Sequence, residues 1–137
     1  MSPEQLADVE AIKKLKARYF RLMDTKRWDE WADVFTEDCV MLAGDRRTDG
    51  RDAFVRFVQR LLGDHVTVHH GHMPEIELTG PTTATGIWSM YDRVELDPPH
   101  GFEGYGHYLE EYRKEADGQW RISQLELTRL KEVPLEG

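Results

Sequence analysis

A chain of 137 residues supports a single domain with a real hydrophobic core, and its 39% apolar and 32% charged residues are ordinary for a globular protein. The net charge of −8 repels phosphate backbones and anionic lipid, which disfavours nucleic acid and membrane partners, and no apolar run approaches the ~18 residues of a membrane helix. One cysteine excludes an internal disulfide and a cysteine-based zinc cluster.

The opening Ser2-Pro3-Glu4-Gln5 lacks the charged-then-apolar pattern of a secretory signal and reads as a helix start, so a cytoplasmic location is expected. Ser2 caps, Pro3 takes the first helical position and Gln5 completes a capping box. Leu6, Val9, Ile12, Leu15, Tyr19 and Leu22 then recur at helical spacing. Trp28, Trp31, Ala32 and Phe35 mark a short second helix that Thr36-Glu37-Asp38 breaks. Cys39 to Ala43 reads as a strand, with Cys39 a small core residue. Gly44 to Gly50 is a polar turn, and Asp49 is placed to cap a third helix carrying Phe54, Phe57, Val58, Leu61 and Leu62 and stopped by Gly63.

From Val66 the period changes to two. Val66 to Leu78 is a long strand kinked at Gly71 or Pro74, because proline cannot donate to a central ladder. Thr83 to Leu96 follows, then a loop from Asp97 to Gly101 containing Pro98 and Pro99. Phe102 to Glu115 and Trp120 to Leu130 form a hairpin around Asp117-Gly118, and Glu132 to Gly137 reads as a loose tail. Helices first and antiparallel strands afterwards argue for an α+β fold over 1–137, in which helices cover one face of a strongly bent sheet and leave a pocket.

The chemistry concentrates in an early aspartate and a mid-chain histidine cluster. A carboxylate that orients an imidazole makes a general base near neutral pH. Asp24 sits at the C-terminal end of the first helix, against the unfavourable end of the dipole, which points to a role other than stability. In His69-His70-Gly71-His72, alternation sends His69 to one face and His70 with His72 to the other. If His69 faces the pocket it is a single base. If His70 and His72 face it, they and Glu75 form a metal-binding alternative, although the later His100 and His107 do not complete a cupin pattern. Trp88, Met90 and Asp92 share one strand face and suit a flat apolar ligand, with Asp92 a candidate buried acid. Gly104 and Gly106 share the face of Tyr108 and leave room there for a ligand. Glu110-Glu111 and Arg113-Lys114 read as surface charges.

These residues together resemble the SnoaL-like branch of the nuclear transport factor 2-like superfamily. The resemblance rests on Ile12, Leu15, Arg18-Tyr19, Asp24 and Trp31 to Asp38. It continues through Gly50-Arg51-Asp52-Ala53, His69-His70, Gly106-His107-Tyr108, Tyr112 and the hairpin Asp117 to Ile122, and so spans nearly the whole chain. It implies a cone-shaped α+β barrel, with N-terminal helices on a strongly curved, mainly antiparallel sheet. The layout is most similar to the scytalone dehydratase, bile-acid dehydratase and hexachlorocyclohexane dehydrochlorinase group. Those enzymes use an Asp–His pair without a cofactor and are often trimers. The resemblance therefore implies a cofactor-independent, dehydratase-type lyase, or an isomerase or cyclase using the same proton abstraction. A homo-oligomer is expected, a trimer before a dimer. The superfamily also contains non-catalytic binding modules.

By position, Asp24, His69 and Tyr19 are the implied catalytic residues, with no metal or other cofactor. Phe20, Met41, Phe54 and Trp88 are expected against a small apolar or aromatic substrate, as are Met90, Asp92, Tyr108 and Leu125. The chain departs from the dehydrochlorinase where that enzyme's cavity arginine aligns with Leu125. Arg129 lies too far along the strand to take its place, which disfavours halide elimination.

Overall fold

The structure is a computed structural model describing residues 1–97 and 100–135. Helix α1 (Pro3–Asp24) opens on the expected capping box, with the Ser2 hydroxyl accepting from the Gln5 amide and the Gln5 side chain accepting from the Ser2 amide. Its inward stripe buries Ile12, Leu15, Tyr19 and Leu22. Helix α2 (Trp28–Ala32) is shorter than the aromatic spacing suggests. Trp31 anchors it, donating its indole N–H to the Tyr19 carbonyl at 3.0 Å.

Strand β1 (Phe35–Ala43) begins four residues before its expected start: Thr36-Glu37-Asp38 ends the helix by entering the sheet. The expected polar turn is a hairpin, in which Gly44 takes a φ of 58° and β2 (Arg46–Asp49) returns against β1. Asp49 does not cap helix α3 (Arg51–Leu62). Its carboxylate is held by Arg47, and Gly50 occupies the cap position with no side-chain bond. Gly63 ends the helix at φ 53°.

Four long strands complete the sheet: β3 (Thr67–Leu78), β4 (Thr83–Glu95), β5 (Gly101–Lys114) and β6 (Trp120–Pro134). The kink in β3 falls between His72 and Glu75, where the register with β4 shifts around Met73 and Pro74. β6 pairs with β5 as far as Pro134, so Glu132 to Pro134 belong to the sheet rather than to a tail. Pro98 and Pro99 of the expected loop, and Glu136 and Gly137 of the expected tail, lie outside the described residues.

The strand order is β2-β1-β6-β5-β4-β3, antiparallel at every contact except β1 with β6. The expected α+β architecture, N-terminal helices on a strongly curved, mainly antiparallel sheet, is borne out, and the cone is left unclosed along one seam. β2 and β3 are edge strands that do not pair, so the sheet is curved but open. Helix α1 packs on β3 and β6 and α3 packs on β1, which closes the concave side with side chains. The core fills one end of the concavity, where Trp31, Val34, Phe35, Tyr112 and Ile122 are all at most 1% exposed.

Candidate active site

The last residue of α1 and the edge of the sheet meet at one carboxylate. β3 pairs on one side only, so the His69 amide has no strand partner, and it donates to Asp24 Oδ2 at 2.8 Å. Asp24 Oδ1 lies 2.7 Å from His69 Nδ1 and accepts from the Thr67 hydroxyl at 3.0 Å. The Thr67 oxygen in turn accepts from Lys26 Nζ at 2.5 Å. Lys26 reaches it from a left-handed backbone, φ 62°, just past the helix end.

Directions of donation fix the protonation pattern. An ammonium only donates, so Thr67 accepts from Lys26 and passes its own proton to Asp24. A carboxylate only accepts, so His69 donates from Nδ1, and in the neutral imidazole it is Nε2 that keeps the lone pair. The helix-end position that disfavours Asp24 electrostatically is thus offset by three donors on one carboxylate.

His69 Nε2 faces a cavity of about 310 Å³ between the concave sheet and α3, while Asp24 stands behind the imidazole. Directly across the β3–β4 register from His69 is Asp92, 2% exposed, with Oδ2 3.9 Å from Nε2. Arg129 grips Asp92 in a two-pronged pair at 3.0 and 2.9 Å. That pair occupies the space Gly104 leaves open, since a Cβ on Gly104 would fall 1.9 Å from Arg129 Nη1 and 2.2 Å from Asp92 Oδ1. The room at Gly104 therefore belongs to an ion pair rather than to a ligand. Gly106 is likewise filled, its missing Cβ lying 1.9 Å from the Thr128 carbonyl.

Tyr19 from α1 and Tyr108 from β5 form the adjoining wall, edge to face at 5.8 Å. Burial pushes both phenols above their ordinary value, with nearby carboxylates adding to the effect, so both remain protonated donors. Behind them Lys16 is fully buried, its Nζ 3.6 Å from each ring centroid and 2.5 Å from Glu110 Oε2. Burial lowers the Lys16 ammonium to about 8, and Glu110 partly offsets this. Glu110 also accepts from the Tyr112 hydroxyl, which accepts from the Trp88 indole. The reading of Glu110 as a surface charge is therefore corrected. Alternation with Tyr108 and Tyr112 carries it inward, where Lys16 compensates it.

Of the expected substrate contacts, Met41, Phe54, Asp92, Tyr108 and Leu125 line the cavity. Phe20, Trp88 and Met90 do not. They share the concave side but lie toward the end that α1 fills, where Phe20 and Trp88 crowd the space over Gly71. His70 stands on the outer face against Tyr91, 5.9 Å between ring centroids, turned away from the base. Arg129 reverses the sequence expectation, because it does reach the cavity. Counting by two from Leu125 through Leu127 leads to it, and register shifts between β5 and β6 bring it opposite Gly106.

Residues 4–126 match the SnoaL-like domain family model. Among solved structures, a protein from Novosphingobium aromaticivorans provisionally named a scytalone dehydratase is 24% identical, with a TM-score of 0.88, over 100% of this chain and 93% of that one. A hexachlorocyclohexane dehydrochlorinase from Novosphingobium barchaimii is 20% identical, with a TM-score of 0.85, over 97% of this chain and 93% of that one. A Mycobacterium tuberculosis protein of unknown function is 27% identical, with a TM-score of 0.82, over 94% of this chain and 76% of that one. These likenesses extend the shared architecture across the whole sheet, and with the match over 4–126 they place the chain in the SnoaL-like domain family of the nuclear transport factor 2-like superfamily.

Proposed function

We propose that this protein is a cofactor-independent lyase that eliminates water from a small, largely apolar or aromatic molecule. The observation that carries the reading is the 2.7 Å contact of Asp24 with His69 Nδ1, which leaves the Nε2 lone pair facing an apolar cavity. Nε2 takes a proton from carbon next to a carbonyl, and the electron pair moves onto the carbonyl oxygen as an enolate. Tyr19 or Tyr108 donates a hydrogen bond to that oxygen. As the enolate re-forms the carbonyl, the β-hydroxyl leaves with the proton held by His69, and the products are an alkene and water. Asp24 stabilises the transient imidazolium at Nδ1, and Asp92, 3.9 Å from Nε2, adds a second carboxylate on its other side. Isomerisation shares the first step and differs only in returning the proton to another carbon.

The test is turnover by wild type, Asp24→Asn and His69→Ala against β-hydroxy carbonyl compounds with aromatic or alicyclic bodies, with product analysis to separate water loss from isomerisation. Asp24→Asn should keep the fold and lose roughly 10²–10⁴ in rate, the scale of disabling a general base or its orienting group. Near-full activity in Asp24→Asn would remove the pair from the mechanism. A cavity that binds these compounds yet turns none over in the wild type would favour a binding module.

A further inference from the structure

The cavity's charges are matched in pairs, with one exception. His69 is held by Asp24, and Arg129 by Asp92. Arg46 also lines the cavity, yet among the described residues it has no ion pair, whereas its neighbour Arg47 is bound to Asp49. Its guanidinium lies over the Phe57 ring, 3.5 Å from the centroid, a stacking that holds the cation at the cavity lip without satisfying its hydrogen bonds. Thr48, two residues along the same strand face, also lines the cavity and adds a hydroxyl beside it. Opposite Arg46 in the β1–β2 register is Ala43, whose small side chain leaves the guanidinium approachable.

The position of Arg46 gives this cation a meaning for ligands. It stands on β2 and His69 on β3, the two unpaired edges of the sheet, and both line the same cavity. Between them the walls are apolar, built from residues such as Met41, Phe54, Val58, Leu62 and Leu125. In a chain of net charge −8, an unneutralised cation at the mouth is also where an incoming anion meets attraction rather than repulsion.

We propose that the substrate is an amphipathic anion: an apolar body whose carboxylate or sulfonate is held by Arg46 and Thr48 at the lip, while its reacting carbon reaches His69 at the opposite edge. This rests on the cavity assigned above being the substrate site, but it does not depend on the reaction that follows.

The test is therefore a binding measurement. Calorimetric titration compares 2-naphthoate with 2-naphthamide, which share size and ring and differ in charge, on wild type, Arg46→Gln, Arg129→Gln and His69→Ala. Wild type should prefer the naphthoate. Arg46→Gln should lose roughly five-fold in naphthoate affinity at low salt and keep its affinity for the amide, the scale of one exposed charge pair. The difference should shrink at high ionic strength. His69→Ala should keep the preference for the anion, so failure of the lyase reading and failure of this one are separable. Unchanged naphthoate affinity in Arg46→Gln overturns the proposal, as does an equal loss of both probes. Loss of the preference in Arg129→Gln alone also overturns it by moving the anion to the other arginine. Absence of binding by both probes in wild type denies the cavity this ligand class.

Discussion

Replacing Lys16 by methionine tests whether the pair behind the two cavity tyrosines is a compensated charge or merely packing. Glu110 is 3% exposed, with Oε2 on Lys16 and Oε1 on the Tyr112 hydroxyl at 2.7 Å. Methionine keeps most of the lysine stem, so the cavity term is small. What remains is a carboxylate with one hydroxyl donor in a site closed to water, and breaking such a pair from one side costs about 3–5 kcal/mol. The double variant Lys16→Met/Glu110→Gln removes both charges while keeping an acceptor for Tyr112. It should lie within about 1.5 kcal/mol of wild type, because a buried pair replaced as a unit is nearly neutral. Urea unfolding at pH 7, followed by tryptophan fluorescence and circular dichroism, measures both variants. A single variant costing under about 1 kcal/mol would refute the reasoning, as would a double variant no better than the single, since either result means that Glu110 is not an uncompensated charge when Lys16 is gone.

Two further outcomes are expected. Burial raises the Cys39 thiol to about 11 and the residue is fully covered, so iodoacetamide at pH 8 should leave the native protein unmodified and alkylate it rapidly in urea, as mass spectrometry would show. Gly104→Ala places a methyl group on the Arg129–Asp92 pair and should lower stability by about 1–3 kcal/mol. It should reduce turnover as well, and calorimetric stability beside wild type checks the first effect.

The path from sequence to site was legible where local patterns govern. The capping box, the helical stripe ending at Asp24, the Asp117-Gly118 turn and the alternation that sets His69 on the face opposite His70 all survive in the structure, whereas which of those faces the cavity was left open by the sequence. What the sequence concealed was set by contacts far apart in the chain. Glu110 looks like a surface charge until α1 delivers Lys16, 94 positions earlier, against it. Arg129 looks misplaced until register shifts in the β5–β6 ladder and the absence of a side chain at Gly104 admit it. Phe20, Trp88 and Met90 have the right face but the wrong depth. Alternation fixes which side of a sheet a residue occupies, and only packing decides which end of that side stays hollow. The expected α+β cone is present, but its open seam was not legible, since hydrophobic pattern does not encode whether two edge strands meet.

The gap between the β2 and β3 edges changes how the cavity responds to a guest. A closed barrel can widen only by breaking ladder hydrogen bonds, which makes its bore rigid. Here no such bonds cross the seam, and the distance between its lips depends on how α3 seats Phe57, Val58 and Leu61 against the cavity. A bulkier guest then displaces side chains rather than unzipping backbone, at the modest cost of rearranged apolar contacts. Tolerance toward guest size is thus a property of one amphipathic helix face. Trimming or enlarging Phe57 or Leu61 should retune the accepted size while Asp24, His69 and Thr67, anchored to the far lip, keep their geometry.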